Sequence, residues 1–155
     1  MNKPTLIAII GLLFVSISRA SDSDDTLTYY RSKSDLIVLG RITSEPKGIV
    51  DEAGVPNYIC DFMVTDLLKG QTGSTNNNIR VNIIQCELDP KDHSLLIKKD
   101  AECILFLKRA PIRDTPEWNT SDFWFGIQNP SSCMIRALKM LDQEMKRVEQ
   151  PLSPR

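Results

Sequence analysis

Two hydrophobic patterns organise this chain. Leu36-Ile37-Val38-Leu39 is an unbroken branched run that continues through Gly40-Arg41-Ile42. Such a run predicts a strand buried on both faces at its start. Gly40 inside it predicts a bulge or sharp bend, as a barrel needs. The segment from Tyr58 to Thr65 behaves differently: Tyr58, Cys60, Phe62 and Val64 share one face, and Ile59, Asp61, Met63 and Thr65 share a more polar one. Ile79, Val81 and Ile83 alternate with Arg80 and Asn82, which predicts a half-buried strand. Glu102 to Lys108 and Asp122 to Ile127 read as a fourth and a fifth strand. On the fifth, Phe123, Phe125 and Ile127 share a core face and Trp124 points away.

Helices flank the strands. Thr26 to Ser34 predicts a short helix or turn, with Asp24 or Asp25 as its cap. Asn129-Pro130-Ser131-Ser132 is a helix start. Met134, Leu138, Leu141, Met145 and Val148 then recur at steps of four and three, one apolar stripe on a helix of about five turns. Pro151 and Pro154 end it. Residues 45–57, 71–78, 88–99 and 109–121 are rich in turn-forming or polar residues and read as loops. The loop at 71–78 lacks the G-K-[ST] ending of a phosphate-cradling loop.

The N-terminal residues change the picture. Met1-Asn2-Lys3 is a short positive start, Leu6 to Ile17 is apolar but for Gly11 and Ser16, and Ser18-Arg19-Ala20 places small residues before a cut. That is the layout of a signal peptide cleaved after Ala20, and the apolar run is shorter than the roughly 20 residues of a spanning helix. The expected organisation is a signal peptide at 1–20, one domain at 21–149 and a tail at 150–155, in a secreted or periplasmic protein with no stable membrane insertion after cleavage. Cleavage removes Lys3 and Arg19, so the net charge of −1 becomes −3. Weak acidity argues against a nucleic-acid binder, which needs a basic face.

Secretion makes the cysteines readable. Cys60, Cys86, Cys103 and Cys133 are an even set, and disulfides are the expected outcome in an oxidising compartment. Sequence does not choose among the three pairings. No C-x-x-C knuckle supports zinc. Cys133 opens the final helix, where the dipole favours a thiolate. It is read as a structural disulfide, with Cys86 a candidate partner, or alternatively as a redox-active thiol. His93, the lone histidine, sits in a charged loop with no nucleophile motif. Asn119-Thr120-Ser121 is a sequon that matters only in a eukaryotic secretory pathway. Trp118 and Trp124 are candidate ligand contacts, because exposed aromatics stack on sugars or anchor partners.

The order of elements also carries a resemblance. Ser34-Asp35 followed by the apolar run and Gly40-Arg41-Ile42, then Phe62-Met63-Val64-Thr65-Asp66-Leu67-Leu68-Lys69-Gly70, then Ile79-Arg80-Val81 and Ile104-Leu105-Phe106-Leu107, is similar to netrin-like modules related to tissue inhibitors of metalloproteinases, in a divergent bacterial version. The similarity spans roughly residues 27–108. It implies a mainly β fold: a five-stranded OB-like barrel with packed helices, here with a C-terminal amphipathic helix. OB barrels bind on one open face and its loops, which places candidate contacts on 58–65, 79–84, 45–57 and 109–121. In the inhibitors of that family an N-terminal cysteine chelates the target's zinc. A mature chain starting near Ser21 has no cysteine before Cys60, so no inhibitory residue carries over. No catalytic set, cofactor motif or metal set emerges. The expected function is a non-catalytic binding module for a protein or glycan partner. A thiol-based redox or stress protein using Cys133 and a structural envelope protein are the alternatives.

Overall fold

The unbroken run from Leu36 to Ile42 forms a strand covered on both sides, because a barrel closes on one face and helices close on the other. The computed structural model describes residues 25–84, 96–111, 116–122 and 125–149. Residues 25–33 are helical (α1). Seven strands follow: β1 (Leu36–Ile42), β2 (Lys47–Val50), β3 (Pro56–Lys69), β4 (Asn78–Ile84), β5 (Glu102–Arg109), β6 (Trp118–Thr120) and β7 (Ile127–Gln128). The chain ends in helix α2 (Ser132–Glu149). Five strands pair in the order β1-β3-β4-β6-β5, and β5 pairs back onto β1, so the barrel is closed. All its pairings are antiparallel except β4 with β6. This is the expected mainly β, OB-like barrel, with β2 and β7 as two outer strands.

Two hydrophobic clusters share the strands between them. Leu36, Val38 and Ile42 of β1 and Cys103, Leu105 and Leu107 of β5 point into the barrel, where they meet Phe62, Val81, Ile83 and Trp118. Ile37, Ile104 and Phe106 point outward, under Leu27 of α1 and Leu138 of α2. β1 and β5 are apolar at consecutive positions because consecutive side chains enter different clusters. β4 and the middle of β3 alternate because only their inner face is covered, whereas Leu68 at the end of β3 packs outward with Leu138.

Gly40 lies where the barrel bends. The β1–β3 register shifts between Leu39 and Gly40, and a Cβ on Gly40 would collide with the Met63 carbonyl oxygen and the Phe62 ring. The Lys69-Gly70 pair also has a physical reason. The Lys69 ammonium donates hydrogen bonds to the carbonyl oxygens of Arg31 and Ser34, satisfying the C-terminal end of α1. Gly70 has φ +81°, and its bare Cα lies against the Asp35 carbonyl.

Three expectations need correction. The fifth barrel strand is not Asp122–Ile127 but Trp118–Thr120, inside the expected loop at 109–121. Its Thr120 hydroxyl accepts the Ile84 N–H at 3.0 Å. Of the expected strand, Ile127–Gln128 pairs outside on β5, and Phe125 turns to stack on Tyr30 of α1 with centroids 4.2 Å apart. The expected loop at 45–57 contains β2, paired with the start of β3. The apolar stripe of α2 packs only in its first half: Leu138 is sealed, whereas Met145 and Val148 are exposed, Val148 at 86%. The disulfide candidates Cys60, Cys103 and Cys133 are free thiols. Cys60 and Cys103 both lie inside the barrel, where each strand ladder pairs them with other residues, Val81 and Gly40. Cys86, Trp124, His93, the signal peptide with its cut and the tail at 150–155 lie outside the described residues.

Candidate functional site

Among the described residues, α2 covers the end of β3, where Leu68 packs with Leu138, and the outer face farther back along β3 and on β4 is exposed at Asp61, Met63, Asn78 and Arg80. The register sets Ile59 opposite Asn82, Asp61 opposite Arg80 and Met63 opposite Asn78. These side chains point outward because their neighbours Cys60, Phe62, Val81 and Ile79 point in. Around them lies a shallow depression of about 540 Å³, lined by Thr43, Asp61, Met63, Asn78, Ile79 and Arg80. Its edge is tied by the Ser44 hydroxyl, which accepts the Asp61 N–H at 2.8 Å, and by Thr43 donating to the Asp61 carbonyl at 3.2 Å. The Asp61–Arg80 pair is 3.9 Å apart and open to solvent. A pair of that kind contributes little to stability, so both groups remain available to a ligand.

Amides extend this face. Asn82 is paired with Asn119 on β6, and Asn57 lies two positions along β3 from Ile59, the partner of Asn82. Asn57 is held by its Nδ2, which donates to Asp51 and to the Val55 carbonyl at 3.4 and 3.3 Å. Among the described residues no donor reaches the buried Oδ1 atoms of Asn57 and Asn82. An unpaired buried acceptor costs about 1–3 kcal/mol.

Of the two aromatic candidates, Trp118 is among the described residues. Trp118 is 3% exposed and fills the barrel interior, with the Arg109 guanidinium 5.7 Å from its ring centroid at the rim. Its alternation with Asn119 and Thr120 places it inward, which the loop reading of 109–121 missed. Trp124 is outside the described residues. The sequon residue Asn119 is half-buried in β6, and its Thr120 is buried.

The cysteines separate into two kinds. Burial pushes the Cys60 thiol up to about 12, with the nearby Asp61 charge adding to it. Burial likewise pushes Cys103 to about 12, helped by Cys60 and Glu102. Neither is a nucleophile at neutral pH. Cys133 is exposed in the first turn of α2. Ser131 caps that turn by accepting the Met134 N–H at 3.1 Å.

The charged cluster beneath α1 is structural. Arg31, 5% exposed, reaches Asp142 of α2 at 3.3 Å, and Asp142 also takes Lys146 at 2.7 Å. Burial lowers the Lys69 pKa, Arg31 lowers it further, and Asp35 opposes both. Lys139 of α2 meets Asp66 of β3 at 2.6 Å. Among the described residues no group of three or more His, Cys, Asp or Glu is placed to hold a metal ion, and no helix is long and apolar enough to cross a membrane.

Compared with known proteins, the chain matches no family model and no curated sequence. Sequence reading placed contacts on 58–65, 79–84, 45–57 and 109–121; Asn57 and Asn119 fall in the last two ranges, but on strands and not in the loops expected there. Their signal was available: both are polar at outward positions of strands whose inward neighbours are apolar.

Proposed function

We propose that this chain is a non-catalytic binding module of a secreted or periplasmic, netrin-like type, and that it binds through the outer face of β3 and β4. The observation that carries this reading is the uncovered depression at Asp61, Met63, Asn78 and Arg80. Around it, side chains that donate and accept hydrogen bonds are displayed on a rigid barrel wall, and OB-like barrels bind on such faces. The chemistry suits a polar partner, a glycan or a hydrophilic protein surface. Amide-resolved NMR titration of the labelled protein with oligosaccharide pools tests it. Shift changes confined to 59–63 and 78–82, lost in Arg80→Ala, support the reading. Changes that map elsewhere, or none with any glycan or envelope protein, refute it.

A second reading rests on Cys133, the exposed thiol among the described cysteines. A thiol-based redox function requires it to cycle between oxidation states. Intact mass after peroxide and then reductant tests that: a reversible mass gain located at Cys133 supports it, and an inert thiol excludes it.

A further inference from the structure

A trough runs along α2 on the side away from the β3–β4 face, and it stands independently of the reading above. Two depressions meet at Leu27 and Ala137, which line both. One, of about 340 Å³, is lined by Thr26, Leu27, Phe125, Ser131, Cys133, Met134 and Ala137. The other, of about 240 Å³, extends it past Met140 and Leu141 to Glu144. From Cys133 to Glu144 the helix rises about 16 Å, the reach of a medium-length alkyl chain. Small Ala137 forms the floor between bulkier side chains. One wall is fixed in advance, since Phe125 is stacked on Tyr30 and set edge-on to Phe106 at 4.9 Å. Apolar lining with a few polar groups at the ends is the make-up of a small-molecule site.

Charge complementarity selects the ligand and its direction. One end of the trough is the N-terminal turn of an 18-residue helix with no acidic residue in that turn. Helix N-termini favour anions. At the far end stands the Glu144 carboxylate, which disfavours an anion there. The geometry points to a single-chain aliphatic carboxylate, a fatty acid, with its head at Ser131 and Cys133 and its tail over Ala137 toward Leu141. A partner helix or a second copy would not need this end-to-end polarity.

The probe is dodecanoate, and Cys133 is the built-in reporter. Dodecanoate, below its micellar concentration, should bind the full chain saturably at one site and slow alkylation of Cys133 by a water-soluble maleimide. Affinity should fall roughly fourfold for each methylene removed. Dodecylamine should bind about threefold more weakly than dodecanoate. Ala137→Trp, which fills the floor, should weaken dodecanoate at least tenfold. Because that variant could disturb packing, Cys133 protection in the wild-type chain is the second measurement. Non-saturating uptake, unprotected Cys133, or amine binding as tight as carboxylate would each overturn the assignment. So would a dimer in sedimentation whose interface, not dodecanoate, shields Cys133.

Discussion

β1 and β5 on one side of the barrel and β3 and β4 on the other are built from the same strand geometry to opposite ends. On β5 the five residues from Cys103 to Leu107 are all buried, alternately into the barrel and under the helices. On β4 the buried Ile79, Val81 and Ile83 alternate with Arg80 and Asn82, which face outward. The first pair of strands spends both faces on stability. On the second pair the outer face stays exposed at Asp61, Met63, Asn78 and Arg80. In a small barrel, therefore, the strands with polar alternation mark where a ligand can reach the wall.

The largest expected effect tests the two-sided side. Phe106 is fully buried on the outer side of β5, against Phe125 and the helices. Phe106→Ala should cost about 3–5 kcal/mol. Met63→Ala, on the open face, should cost under about 1 kcal/mol. Urea unfolding of both variants measures the difference, and similar losses would break the contrast.

Alkaline pH probes the barrel interior next. Cys60 and Cys103 keep their protons in the folded chain up to about 12, while in the unfolded chain they ionise from 9.0. Above pH 9 the folded state then binds more protons, so stability falls as pH rises toward 12. The slope is about 1.4 kcal/mol per pH unit for each thiol. Lys69, lowered by burial, acts in the opposite direction as pH climbs toward its ordinary value. Cys103→Ala should therefore flatten the alkaline loss seen in denaturation at about pH 8 and about pH 10. An unchanged slope in this variant would mean that the thiol is not sealed in the barrel.

Lys69→Met gives a smaller loss. It keeps the alkyl stem but strands the Arg31 and Ser34 carbonyls at the end of α1, at about 1–3 kcal/mol. Hydrogen exchange should rise in α1 and not in β4. Exchange that rises equally across the barrel would assign Lys69 to the core instead of the helix end.

Legibility in the sequence followed the same division. The run at Leu36–Ile42 and the alternation at 58–65 and 79–83 predicted strands close to those observed, since each pattern reports its own burial. Gly40 and Lys69-Gly70 were legible as a bend and a strand end, but their contacts with Met63 and Asp35 arise only when distant segments meet. β6 was misplaced because three residues give too short a period, and the aromatic cluster at 123–125 drew the strand toward itself. β2 was missed because Lys47–Val50 is exposed throughout, Val50 at 70%, so pairing without burial left no hydrophobic signal. The stripe on α2 predicted a helix correctly and overpredicted its contact: periodicity fixes which side chains share a face, not how far the neighbour beneath extends.

Arg80→Ala has the smallest expected effect on stability and is the sharpest test of the open face. Arg80 is exposed, and its only ion pair among the described residues is the 3.9 Å contact with Asp61. Its loss should change stability by no more than about 0.5 kcal/mol. If the face is a recognition surface, the same substitution should abolish ligand-induced NMR shifts at 59–63 and 78–82 while leaving the free spectrum intact elsewhere. A variant that is as stable and binds as well would leave β4 polar for solubility alone, and the barrel would then have two stabilising sides instead of one. Measuring both quantities on one protein separates these outcomes, because from Cys103 to Leu107 of β5 every side chain is buried and any substitution acts on stability, whereas Arg80 of β4 is exposed.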